Sequence, residues 1–205
     1  MKKIMFNDKY GLTQAVLEGR KTMTRRVISY PSKFRGQNVA GYYVCRKPSG
    51  ELVEVCLHDE DERMIDAGQI FPNFQVGEVV AIAQSYKDSG YTPDSLDRHP
   101  KDLSIRGLMK DSAGWNNKMF VKSYACKHHI KITNIKVERL QEISDDDCLK
   151  EGIFEWNAGQ KDIPFYSFSY ADIPDYFSPR DAFADLIDKV SGKGTWEENP
   201  FVWVY

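Results

Sequence analysis

Two serine-capped helix starts in the last third of the chain, Ser144-Asp145-Asp146-Asp147 and Ser178-Pro179-Arg180-Asp181, constrain the fold most. In each, the serine hydroxyl is placed to accept from the third helical N–H, and an acid sits in the positive first turn. Gly152 and Gly192 are placed to end these helices. Phe183, Leu186, Ile187 and Val190 give the second helix one apolar face. The rest of the chain reads mainly as strands, with no βαβ rhythm. The pattern predicts an α+β fold or a partly open barrel.

A first short helix is expected over Lys9–Leu17, with Leu12, Ala15 and Val16 on one face and Gly19 as its stop. A strand is expected over Thr22–Ile28. Tyr42–Arg46 and Glu51–Leu57 read as a hairpin about the turn Lys47-Pro48-Ser49-Gly50. The acidic run His58–Asp66 lacks an apolar period and is expected to be a solvated loop or short helix. Gln75–Glu78 reads as a turn into a buried strand, Val79–Gln84. A half-buried strand kinked near Asn134 is expected within Lys127–Val137, and a final strand at Phe201–Tyr205.

At 205 residues the chain fits a single domain, 1–205, with insertions near 58–75, 86–117 and 154–177. The second insertion is long enough to serve as a lid or a decoration.

Composition narrows the function classes. A net charge of −2 gives no global field toward nucleic acid or an anionic membrane, so any such contact needs a local basic patch. Apolar runs such as Val79–Ala83 are far shorter than the roughly 20 residues that span a bilayer. No membrane partner is expected. Met1-Lys2-Lys3-Ile4-Met5-Phe6 leads into Asn7-Asp8-Lys9 and not an apolar signal core, so a cytoplasmic location is expected. Cys45, Cys56, Cys126 and Cys148 form no C-x-x-C pair and read as small buried hydrophobes of a reducing compartment. His128 and His129 are adjacent, so on a strand they face opposite ways. His58 and His99 have no ligand-type neighbour at a usual spacing, so neither a metal nor another cofactor is expected.

The sharpest local signal is Gly19-Arg20-Lys21-Thr22-Met23-Thr24-Arg25-Arg26, which places four cations in seven residues of an otherwise acidic chain. Strand alternation would set Thr22, Thr24 and Arg26 on one face and Met23 and Arg25 on the other. Such a segment is either a site for an anionic or nucleotide-like ligand or a solvated basic strand. Trp156, Tyr166, Tyr170 and Tyr176 could stack bases, although such residues more often pack a loop.

These residues resemble a known family. Leu17-x-Gly-Arg-Lys-Thr-x-Thr-x-Arg26 is similar to the opening signature of ASCH domains, relatives of the PUA RNA-binding barrel. The likeness is strongest to their longer bacterial and phage-associated branch. Gly77-Glu78-Val79-Val80, then Val137-Glu138-Arg139-Leu140-Gln141-Glu142-Ile143 running on to Lys150-Glu151-Gly152-Ile153, match further motifs in the same order. So do Phe183-x-x-Leu186-Ile187, Gly192-Lys193-Gly194-Thr195-Trp196 and Asn199-Pro200-Phe201-Val202-Trp203-Val204.

The resemblance implies a small PUA-like β-barrel with flanking helices and a basic cleft for RNA or a nucleoside or nucleotide, with Arg20, Thr22, Arg25 and Arg26 as ligand-binding residues. It also implies an alternative, an amidohydrolase removing the acetyl group from acetylated cytidine, with Lys21, Thr24 and Glu151 as its catalytic set. A lysine serves as base only when its pKa is depressed, and Arg20, Arg25 and Arg26 would push it that way. Where that branch carries a charged Arg-Glu pair, this chain has Ala81-Ile82-Ala83-Gln84, and Lys122 and Lys127 stand where a Pro and an Arg are usual. These departures favour binding over catalysis. They leave a third alternative, a phage-derived accessory protein without activity.

Overall fold

A computed structural model describes residues 1–89, 113–156, 164–169 and 176–205. In chain order the elements are β1 (Lys3–Ile4), α1 (Leu12–Leu17), β2 (Arg25–Val27), β3 (Lys33–Phe34), β4 (Gln37–Asn38), β5 (Gly41–Arg46), β6 (Leu52–His58), β7 (Met64–Gln69) and β8 (Val79–Ile82). Then come α2 (Tyr86–Ser89), β9 (His129–Lys131), β10 (Lys136–Arg139), α3 (Asp145–Lys150), β11 (Phe154–Trp156), β12 (Phe165–Ser167), α4 (Pro179–Ser191), α5 (Thr195–Glu198) and β13 (Phe201–Val204).

The fold is α+β. Three small sheets, ordered β1-β8-β9, β10-β13-β2 and β5-β6-β7, are accompanied by two antiparallel strand pairs, β3-β4 and β11-β12. They do not close into a barrel among the described residues.

Strand β13 explains how the layers stack. Its side chains alternate, so Val202 and Val204 enter the main core with Cys148, Phe183, Leu186 and Ile187. Trp203 points the other way, into a second cluster with Ile28, Val55 and Val137. The sheet β10-β13-β2 therefore lies between the helices and the β5-β6-β7 sheet. A strand apolar on both faces is what this position demands. Full burial of each valine contributes roughly 1.5–3 kcal/mol.

Both capped helices form as read. Ser144 Oγ accepts from the Asp147 N–H at 3.2 Å and Ser178 Oγ from the Asp181 N–H at 3.1 Å. Phe183, Leu186 and Ile187 are buried, while Val190 lies at the margin, 38% exposed. The β5–β6 hairpin also forms, its turn closed by Lys47 and Glu51.

Other expectations need correction. Helix α1 starts at Leu12, not Lys9, because Gly11 adopts a left-handed conformation just before it. Within Thr22–Ile28 only Arg25–Val27 is strand, because the preceding residues hydrogen-bond to helix ends. The acidic run His58–Asp66 is a solvated turn only over residues 59–63, and its ends belong to strands β6 and β7. The Asp59 carboxylate accepts from the Asp61 and Arg63 N–H groups, making a tight turn into β7, where Ile65 is buried. Lys127–Val137 splits into β9 and β10, which join different sheets. The expected loop 154–177 contains the β11-β12 hairpin. Sequence reading also missed β1, two residues long, which pairs in parallel with β8.

Ala81 and Ala83 are fully buried, so a charged pair beside them would sit in the core. Of the long 86–117 insertion, residues 90–112, including His99, lie outside the described residues, as does the expected lid over the cleft. Tyr170 does too.

Candidate functional site

The site is built where two helix ends meet β2. A helix leaves its last carbonyls without intrahelical partners. Here the signature segment supplies them. The Lys21 N–H donates to Ala15 O of α1 at 2.9 Å, and the Thr22 and Met23 N–H groups donate to Lys150 O of α3 at 2.8 and 3.0 Å. Thr24 then exchanges two backbone hydrogen bonds with Tyr205, which starts the pairing of β2 with β13. Gly152, at φ 105°, turns the chain away immediately after Glu151. Lys21 and Glu151 are thus brought together from opposite ends of the sequence.

Lys21 Nζ lies 2.5 Å from Glu151 Oε2 and 2.8 Å from Glu151 O, with both side chains about 95% buried. The other Glu151 oxygen accepts from Arg25 Nη1 at 3.1 Å. Arg25 also holds Glu138 Oε1 through Nη2 at 2.5 Å and Asp147 Oδ2 at 3.0 Å. Register explains this convergence. Arg25 and Lys136 both pair with Val204, so Arg25, Lys136 and Glu138 project from one sheet face. At the outer edge Lys136 meets Glu138 at 2.6 Å, and Lys150 meets Asp147 at 3.0 Å.

Burial pulls the Lys21 ammonium below its ordinary pKa, outweighing the attraction of Glu151, and the charges of Arg26 and Arg25 push the same way. Arg20 is not among the larger causes of that shift. Asp147 is held below the usual carboxylate range because its hydrogen bonds from Lys150 and Arg25 outweigh its burial.

Lys21, Thr24, Arg25, Arg26 and Glu151 line one small cavity of about 80 Å³, closed by Phe6 and by Phe183, Leu186 and Ile187 of α4. A larger cavity of about 380 Å³ adjoins it, lined mostly by apolar groups including Val16, Met23, Ile130, Ile132 and Tyr205. Phe6, Lys21 and Thr24 line both. Among the described residues the Thr24 hydroxyl makes no hydrogen bond, either to Lys21 or to Glu151.

The other signature residues take different places. Arg25 is wholly enclosed by carboxylates, so its guanidinium is not open to a ligand. Arg26 keeps spare donors: it bonds Met5 O at 2.6 Å and lies over the Phe6 ring, and burial lowers its pKa. Thr22 is exposed at the larger cavity. Arg20 faces away, bound to Glu18 and stacked on Phe154. Sequence reading missed Glu138, Asp147, Phe6 and Tyr205. Asp147 was visible only as a capping acid and Glu138 only as a member of a longer motif, and nothing local marked Phe6 or Tyr205.

The C-terminal root of the long insertion is close by. Lys118 bonds Phe6 O and pairs with Asp8 at 2.7 Å. No helix among the described residues is long and apolar enough to cross a membrane. Comparison with protein-family models, with curated proteins and with solved structures finds no match for the chain.

Proposed function

We propose that this chain is a PUA-like ASCH-type hydrolase that cleaves an amide-linked acyl group from a nucleoside-sized substrate. The observation that carries this reading is a buried lysine of lowered pKa against a glutamate, at a wall shared by two cavities and beside a threonine hydroxyl that makes no hydrogen bond among the described residues. The signature and the ordered motifs support the family assignment.

Lys21 and Glu151 form a pair that can exchange one proton. Transfer to the carboxylate leaves a neutral amine and a carboxylic acid, which is the base and acid combination that amide cleavage requires. Lys21 then takes the Thr24 hydroxyl proton as Thr24 Oγ1 bonds to the amide carbon. Glu151 donates its proton to the departing nitrogen as the C–N bond breaks, leaving an acyl ester on Thr24. Water, deprotonated by the same pair, attacks that ester, releases the carboxylic acid and restores the hydroxyl. The small cavity has room for a short acyl group. The larger one falls in the range of roughly 300–1,000 Å³ typical of small-molecule sites, and its mostly apolar wall suits a base.

The alternative is an RNA- or nucleotide-binding module. Arg26, with spare donors at the cavity, favours it. Lys21 and Arg25 oppose it, because both charges are spent on buried carboxylates and leave two of the signature's four cations for phosphates.

Release of acetate from acetylated cytidine and related acyl nucleosides, followed for wild type and Thr24→Ala, tests the proposal. Hydrolysis by wild type that is lost in the variant supports the enzyme. No activity on any acyl nucleoside, together with salt-sensitive RNA binding, would favour the binding module. Absence of both would leave an accessory protein without activity.

A further inference from the structure

Away from this site, three metal-type ligands converge on the outer face of the β5–β6 hairpin. Register sets Cys45 opposite Glu54 and Tyr43 opposite Cys56. Alternation therefore places Cys45, Glu54 and Cys56 on one face, while Val44 and Val55 join the second core cluster on the other. The two sulfurs and a Glu54 carboxylate oxygen all lie within 4.8 Å of one another. Cys56 is buried, Cys45 is half-buried, and both thiols are free.

Glu54 is unlike the carboxylates of the Lys21 site. It forms no ion pair with any described residue. Its partners are neutral: Gln69 Nε2, from the neighbouring strand β7, donates to Glu54 Oε2 at 2.5 Å, and the Cys56 thiol hydrogen-bonds to it as well. Gln69 stands opposite Cys56 in register. A carboxylate left without a cation, oriented by an amide and grouped with two thiols, lacks the positive charge that would balance it.

We propose that Cys45, Glu54 and Cys56 bind a thiophilic divalent cation of the zinc class, clasping β5 to β6, with the fourth position open to water. Two sulfurs and an oxygen are a normal donor set for such an ion. Metal–sulfur and metal–oxygen distances of about 2.3 and 2.0–2.2 Å put these tetrahedral ligands roughly 3.5–3.8 Å apart, a spacing that side-chain rotation can reach from atoms already within 4.8 Å of one another. Each thiol gives up its proton on binding, leaving two thiolates and a carboxylate around a doubly charged ion. Gln69 supplies the outer hydrogen bond that fixes the carboxylate. His58, which also follows Cys56 by two residues, is stacked on Tyr43 with its Nδ1 against Asp59 O and is not part of the set. A disulfide would use the two sulfurs but gives Glu54 and Gln69 no role.

The test is titration of the reduced, metal-free full chain with cobalt(II), watching thiolate-to-cobalt charge transfer and the visible bands of tetrahedral cobalt. Saturation at one equivalent, reversed by zinc, is expected. Cys45→Ser and the isosteric Glu54→Gln should each weaken binding at least tenfold, and Gln69→Ala roughly 10- to 100-fold. Circular dichroism checks that each variant folds, and Glu54→Gln keeps the test open should a cysteine variant fail to fold. Absence of the charge-transfer band, its survival unchanged in Cys45→Ser, or formation of a Cys45–Cys56 disulfide under mild oxidant with no cobalt signal would overturn the proposal.

Discussion

Glu151 meets Lys21 with both its carboxylate and its own backbone carbonyl, at 2.5 and 2.8 Å. Side chain and helix end therefore hold the same ammonium, and Lys21 cannot leave Glu151 without also uncapping α3. Charge, capping and proton exchange are joined in one contact.

Stability follows first. Removing one member of a buried pair leaves the other uncompensated, at a cost of about 3–5 kcal/mol. Glu151→Gln should lose an amount in that range, read as a lower denaturant midpoint with unchanged slope. The double variant Lys21→Met, Glu151→Leu should lose less than the two single losses added together. Simple additivity would mean that the pair is not coupled.

The chemistry has its own signature. Thr24→Ala should lower the hydrolysis rate by about 10²–10⁴-fold without changing the melting temperature by more than a few degrees, and Thr24→Ser should recover part of the rate. Because the working pair carries one proton shared between Lys21 and Glu151, kcat/KM should fall once pH passes the lowered pKa of Lys21, below the ordinary lysine value of 10.5. A profile still climbing past that value would contradict the role of Lys21.

Arg25 and Arg26 are neighbours with opposite expectations. Arg25→Ala removes the buried cation shared by Glu138, Asp147 and Glu151, leaving each with lysine partners alone, and should destabilise the fold by about 3–5 kcal/mol. Arg26→Ala should melt close to wild type yet raise KM for the acyl nucleoside. Equal melting temperatures for the two variants would show that the Arg25 cluster contributes little.

Cys148 gives a pH test. Burial pushes its thiol from 9.0 up to about 12. Above pH 9 the unfolded chain loses this proton and the folded chain keeps it, so the protonated form stabilises the fold below 9 and that contribution fades as pH rises toward 12. The slope is about 1.4 kcal/mol per pH unit for one group. Stability of wild type relative to Cys148→Ala, measured from pH 8 to 11, should decline above 9. A difference independent of pH would mean that the thiol ionises freely in the fold.

What the sequence determined by itself is local. The serine caps of α3 and α4, the Lys47–Gly50 hairpin turn and the apolar face of α4 depend on residues a few positions apart, and all three formed as read. The signature stood out as a candidate segment for the same reason: its composition is unusual within seven residues. Tertiary structure decided where those charges went. Lys21 reaches a partner 130 residues away and Arg25 one 126 away, and neither the 3.6-residue nor the 2-residue period carries that information. Alternation was expected to set Thr24 and Arg25 on opposite faces; both are buried, in a sheet covered on both sides, while hydrogen bonds to the ends of α1 and α3 hold Lys21, Thr22 and Met23 out of the strand. The turn at Asp59 hid a third strand inside an acidic run. Register across β5 and β6 gathered Cys45, Glu54 and Cys56 from positions that show no ligand spacing along the chain. Periodicity reports which face a residue shares with its near neighbours, and only packing between elements determines what that face meets.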